Sequence, residues 1–215
     1  MLKHLFLLIL LIPVTAYSDH LGALTNDDTA PSQSAYKLLI LGDSLSAAYN
    51  LKQEQGWVSL LQNAWSDKPI TIIDAAISGE TTSGGLARLP RLLEQHAPTH
   101  LLIELGANDG LRGYPVKTMQ TNLIEMVEMA QAHQAQIALQ EMLIPPNFGR
   151  RYTNMFTNAY HDVAESHKVI VIPFFMQDVA LNPKLMLADG LHPNADGQPV
   201  IAEFMQAQLG KWLFE

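Results

Sequence analysis

The chain has 215 residues, 48% of them hydrophobic, with a formal charge of −8 and no cysteine. That length suits one ordinary domain with a single core. The acidic balance excludes nucleic acid or an anionic membrane as the main partner, because both attract clustered Lys and Arg, and the lack of cysteine removes a disulfide framework and a lipoprotein attachment point.

Residues 1–18 read as a secretory signal. Lys3 precedes an apolar run over 5–14, and Ala16-Tyr17-Ser18 offers small residues at the spacing a signal peptidase reads. The run falls short of the roughly 20 apolar residues of a comfortable span, so no stable membrane anchor is expected after cleavage. Residues 19–35 are polar and turn-rich and read as a flexible lead-in. The folded domain is expected over 36–215.

From there strands and helices alternate. Leu38-Leu39-Ile40-Leu41 is a continuous apolar strand that stops at Gly42 and feeds through Asp43-Ser44 into an expected helix. Trp57, Val58, Leu60, Leu61 and Trp65 form a helical stripe, and residues 70–75 a second strand. A glycine-marked turn through Ser78-Gly79-Glu80 leads to a helix carrying Leu86, Leu89, Leu92 and Leu93. Residues 100–105 form a third strand, ending at Gly106-Ala107-Asn108-Asp109. A helix from near Pro115 presents Met119, Leu123, Met126 and Val127 on one face. Strand 136–142, a Pro-Pro-Asn-Phe loop, a helix over about 153–167, strand 169–172 and a terminal helix through Val200, Ile201 and Leu209 complete the chain. This alternation predicts an α/β fold with a mostly parallel sheet covered on both faces, and function at the carboxyl ends of its strands.

Ser44 fits two roles. It is an acceptable helix N-cap, and at a strand-to-helix turn it can also be a nucleophile with its own N–H as an anion donor. A nucleophile needs a base, and His192 in Asp189-Gly190-Leu191-His192-Pro193-Asn194 is the best placed of eight histidines, with Asp189 near enough to orient it. That segment also reads as a loop with a helix cap. His133 and His167 sit near helix ends, His161 on a polar helix face, and His96 and His100 are expected to face solvent. The Ser44 N–H, the Gly79 N–H and the Asn108 amide are candidate oxyanion donors. An alternative set of Asp43, Asp109, Asp189 and His192 offers hard ligands for a metal-dependent phosphoesterase, although His-x-His and His-Glu-x-x-His spacings are absent.

Together, Gly42-Asp43-Ser44-Leu45, Gly79 within Ser-Gly-Glu-Thr, Gly106-Ala107-Asn108-Asp109 and Asp189-Gly190-Leu191-His192 resemble the ordered blocks of the SGNH (GDSL) hydrolases. The likeness runs from about residue 36 to the C-terminus and looks closest to the bacterial acyl-CoA thioesterase, lysophospholipase and arylesterase branch. It implies a three-layer α/β/α sandwich of flavodoxin type around a five-stranded sheet. It also implies Ser44 as nucleophile, His192 as base, Asp189 as its partner, and Ser44, Gly79 and Asn108 as oxyanion hole, with no metal and no organic cofactor. Ser46 stands where an ordinary α/β-hydrolase elbow has its second glycine, which argues against that fold.

The resemblance also implies an acyl groove beside a mobile loop. Leu111, Tyr114, Ile144, Pro145, Pro146 and Phe148 are apolar residues on the two rim loops and are expected to contact the acyl chain. Arg112, Arg150 and Arg151 are read as solvated surface. The expected activity is hydrolysis of medium or long acyl esters, with an acyl ester or lysophospholipid as substrate, by an exported monomer. A carbohydrate O-deacetylase of the same fold is the alternative.

Overall fold

The computed structural model describes residues 35–215. The expected signal and all but the last residue of the expected lead-in lie outside the described residues.

Strands β1 (Tyr36–Gly42), β2 (Ile70–Asp74), β3 (His100–Glu104), β4 (Gln136–Gln140) and β5 (Ile170–Ile172) form one sheet in the order β2-β1-β3-β4-β5. Every pairing is parallel. Leu38 to Leu41 and Leu101 to Ile103 are fully buried, as continuous apolar runs require when helices cover both faces of a sheet. The helices are α1 (Trp57–Ala64), α2 (Thr82–His96), α3 (Ala107–Leu111), α4 (Val116–Ala132), α5 (Arg150–His167), α6 (Gln177–Ala180) and α7 (Gln198–Phe214). α1 and α7 pack together on one face, and α2, α4 and α5 on the other. The result is an α/β/α sandwich.

Local chemistry sets the helix ends. The Thr81 hydroxyl accepts from the Gly84 N–H and caps α2, which stops at Ala97 in a left-handed conformation. The Trp57 N–H, unpaired within α1, donates to Gln198 Oε1 at 2.8 Å and ties the starts of α1 and α7 together. α5 begins at Arg150, three residues before the expected start, because Gly149 (φ 89°) breaks the preceding turn.

The chain leaves β1 toward β2, then crosses back to β3 on the other side. The sheet order therefore reverses between β1 and β3, and a crevice opens there at the carboxyl ends. Gly42 and Glu104 are register partners at that edge.

Two expectations fail here. Residues 44–50 are not a helix. The Ala47 N–H donates to the Asp43 carbonyl at 3.0 Å and the Tyr49 N–H to the Ser44 carbonyl at 3.4 Å. Ala48 and Asn50 then adopt φ of 52° and 57°, and left-handed residues cannot extend a right-handed helix. The macrodipole of a long helix therefore does not act on Ser44. His100 does not face solvent but is buried. Its Nδ1 lies 2.9 Å from the Thr99 hydroxyl, its ring packs against Tyr36 and Trp212, and desolvation lowers its pKa.

Candidate active site

The loop before α7 folds around Asp189. Its Oδ1 accepts the N–H groups of Leu191 at 2.9 Å and His192 at 3.0 Å, and Gly190 supplies the positive φ that the turn requires. Oδ2 is left for His192 Nδ1, at 2.8 Å. On the far side of the ring, Nε2 lies 2.8 Å from Ser44 Oγ, a residue 148 positions away. A proton on Nδ1, held by the carboxylate, leaves the Nε2 lone pair facing the serine hydroxyl. Slight desolvation works against ionisation of Asp189, but the two backbone N–H groups and the ring hold its pKa below the ordinary value.

Ser44 sits on a buried carboxyl pair. Asp43 and Glu104 are both buried, and Glu104 Oε2 accepts the Asp43 N–H at 3.1 Å and the Ser46 hydroxyl at 2.7 Å. Asp43 Oδ1 accepts the Leu45 N–H at 3.0 Å. The N–H groups on both sides of Ser44 are thus committed, while its own points to no protein acceptor among the described residues. Desolvation pushes Asp43 up to about 6, against the pull of the Leu45 N–H, Glu104, His192 and Asn108. Glu104 is raised well above its ordinary value by burial first and by the Asp43 charge second.

Asn108, in α3, donates from Nδ2 to Asp43 Oδ2 at 3.1 Å, which leaves the amide's other N–H available. The next residue anchors α3. Asp109 accepts the Thr82 N–H and hydroxyl at 2.9 and 2.7 Å, and Asn122 donates to that same hydroxyl at 2.9 Å. Gly79 stands in the loop after β2, which the Ile77 N–H clips to the Gly42 carbonyl at 3.0 Å. Arg112 is not free surface: its guanidinium donates to the Gly79 carbonyl at 3.1 Å and ties that loop to the end of α3.

Beside Ser44 lies a pocket of about 520 Å³. Leu111, Ile144, Pro145 and Pro146 line it, together with Asn108 and His192. Tyr114 and Phe148 do not line it. Phe148 stacks on Tyr152, with ring centroids 6.2 Å apart, and the Tyr152 hydroxyl donates to the Tyr114 carbonyl at 2.7 Å. Both residues therefore brace the rim loops against α5. The remaining wall comes from residues that sequence reasoning missed: Met142 and Leu143 after β4, Phe174 and Met176 after β5, and Ala180, Leu181 and Met186 around α6. Leu181 is 90% exposed at this wall.

The alternative metal ligands do not converge. Asp109 spends both oxygens on Thr82, and among the described residues no group of three or more His, Cys, Asp or Glu is arranged to hold a metal. His161 Nε2 lies 2.8 Å from Glu141 Oε1, and His161 is not among the residues lining the pocket. No helix among the described residues is long and apolar enough to cross a membrane.

A doubly wound sheet that brings a serine, a histidine and an aspartate into one hydrogen-bonded line beside an apolar pocket belongs to the serine-type ester hydrolases. More narrowly, the chain belongs to the GDSL-like lipase/acylhydrolase family, which matches residues 40–200. It is 47% identical over 187 residues to an arylesterase of Vibrio mimicus, covering 86% of this chain and 94% of that one. It is 44% identical over 181 residues to thioesterase 1/protease 1/lysophospholipase L1 of Escherichia coli K12, covering 84% and 86%. Among solved structures it resembles a psychrotrophic esterase, EstA, from a Pseudoalteromonas species, inhibited by monoethylphosphonate. There the TM-score is 0.82 at 52% identity, covering 84% of this chain and all of that one.

Proposed function

We propose that this esterase works through an acyl-enzyme on Ser44 and prefers medium or long acyl chains, on oxygen esters and on thioesters. The 2.8 Å approach of His192 Nε2 to Ser44 Oγ carries the reading. Ser44 Oγ attacks the carbonyl carbon as its proton passes to Nε2, and Asp189 steadies the imidazolium. The Ser44 N–H, the Gly79 N–H and the second Asn108 N–H receive the oxyanion. Collapse expels the alcohol or thiol, which takes the proton from His192. Water then adds to the acyl-enzyme, gives its proton to the same nitrogen, and releases the acid and free Ser44.

The acyl chain lies in the pocket walled by Met142, Ile144, Phe174 and Met176, whose apolar sides favour hydrocarbon over acetate. This favours an acyl esterase over a carbohydrate O-deacetylase. Lysophospholipids and aryl esters are the proposed substrates, in line with the names of the E. coli and Vibrio relatives. Residues 1–18 would export the enzyme to the periplasm or beyond, where it acts as a monomer. An acyl-length series of esters and thioesters on the mature protein tests the reading, with Ser44→Ala as the blank. Rates that rise with chain length and vanish in Ser44→Ala support it, and a preference for acetate contradicts it.

A further inference from the structure

Tyr49 lies across the face of His192. The ring centroids are 4.2 Å apart and the planes inclined by 32°, the closest ring pair among the described residues. The backbone reaches this position through an unfavourable route. Ala48 and Asn50, on either side, both adopt positive φ, a region that asparagine tolerates but that costs Ala48, with its Cβ and no polar group to offset it. The turn is held by the Leu51 N–H donating to the Ala48 carbonyl at 2.9 Å, and by Ala48 packing against Gly56, where a Cβ would come within 2.8 Å of the alanine methyl. Core filling does not account for this, because Tyr49 is 38% exposed.

We propose that Tyr49 is a positioning residue for His192. Asp189 holds one edge of the imidazole and Ser44 meets the other. Tyr49 takes a face, which limits rotation of the ring and places a π surface over the imidazolium formed when Ser44 gives up its proton. The ring and not the hydroxyl does this. The proposal rests on His192 being the base for Ser44.

The test compares Tyr49→Phe and Tyr49→Leu, with Ser44→Ala beside them, in steady-state turnover of an aryl ester and in the rate at which a fluorophosphonate modifies Ser44. Tyr49→Phe is expected within about twofold of the parent. Tyr49→Leu is expected to lose about three- to tenfold in kcat, with KM unchanged, and to lose the same factor in phosphonylation rate. Tyr49→Met, also flexible and lacking a π face, gives the same reading should the leucine variant fail to fold. Parent-like kcat and labelling in Tyr49→Leu, or equal losses in Tyr49→Phe and Tyr49→Leu, overturn the proposal. Turnover by Ser44→Ala overturns the mechanism beneath it. An inactive Ser44→Ala beside a fully active Tyr49→Leu overturns the Tyr49 role alone.

Discussion

Asn108 and Asp43, 65 positions apart, meet in a 3.1 Å hydrogen bond from the amide Nδ2 to the carboxylate Oδ2. The other oxygen of Asp43 holds the Leu45 N–H, so one buried carboxylate fixes both the turn carrying Ser44 and the direction of the Asn108 amide. A donor held in place before the reaction needs no reorganisation as charge develops, which is where such groups gain their effect.

Asn108→Ala is therefore expected to lower kcat by about a hundred- to a thousandfold, while loss of the bond to buried Asp43 costs about 1–3 kcal/mol of stability and leaves the chain folded at assay temperature. Steady-state kinetics beside thermal unfolding separates this from a structural role, in which stability falls and kcat holds.

The carboxyl pair predicts a pH dependence of stability. Burial pushes Asp43 up to about 6 in the folded chain from an ordinary value of 3.8, and lifts Glu104 well above its ordinary 4.5. Between the unfolded and folded values the native state keeps protons that the unfolded chain has released, so stability falls as pH rises through that window. For Asp43 alone the fall is on the order of 3 kcal/mol. The depressed pKa of Asp189 acts with opposite sign and only below about pH 4. Glu104→Gln keeps an acceptor for Ser46 and the Asp43 N–H and removes one ionisable group. Chemical denaturation at pH 4, 6 and 8 should show a flatter profile in this variant, and an unchanged slope would contradict the account.

Chain length should read out the pocket. Each methylene buried is worth up to about 0.8 kcal/mol, or about fourfold in kcat/KM, until the space is filled. Ala180 is an exposed pocket residue with room for a larger side chain. Ala180→Phe should lower the ratio of kcat/KM for long over acetyl esters and move the optimum to shorter chains. A ratio equal to the parent's would place the acyl chain elsewhere.

The strands were legible because doubly covered strands are unbroken apolar runs, and Leu38 to Leu41 and Leu101 to Ile103 read that way directly. Ser44, Asp189 and His192 were picked out by the chemistry that serine needs and by turn residues at the ends of strands. The turn over 44–50 was not legible: Ser-Ala-Ala-Tyr has ordinary helix propensity, and the left-handed Ala48 is held by the Leu51 N–H on its carbonyl and by tertiary contact with Gly56. Tyr114 and Phe148 misled because an apolar loop residue can serve a ligand or brace a neighbouring helix, and their partner Tyr152 lies on α5. The wall from Phe174, Met176 and Met186 was missed because their segment has no period and reads as a connection. Glu104 gave one available signal, an acid closing the apolar run Leu101 to Ile103; its place opposite Gly42 comes from the fold alone.

The central claim is that Ser44, deprotonated by His192, forms the covalent intermediate. Intact-mass and peptide-mapping analysis after reaction with a fluorophosphonate tests it most directly. The account predicts one adduct per chain on Ser44, loss of esterase activity in step with labelling, and neither label nor turnover in Ser44→Ala. An adduct on another residue that abolishes activity, or sustained hydrolysis by Ser44→Ala, would contradict it.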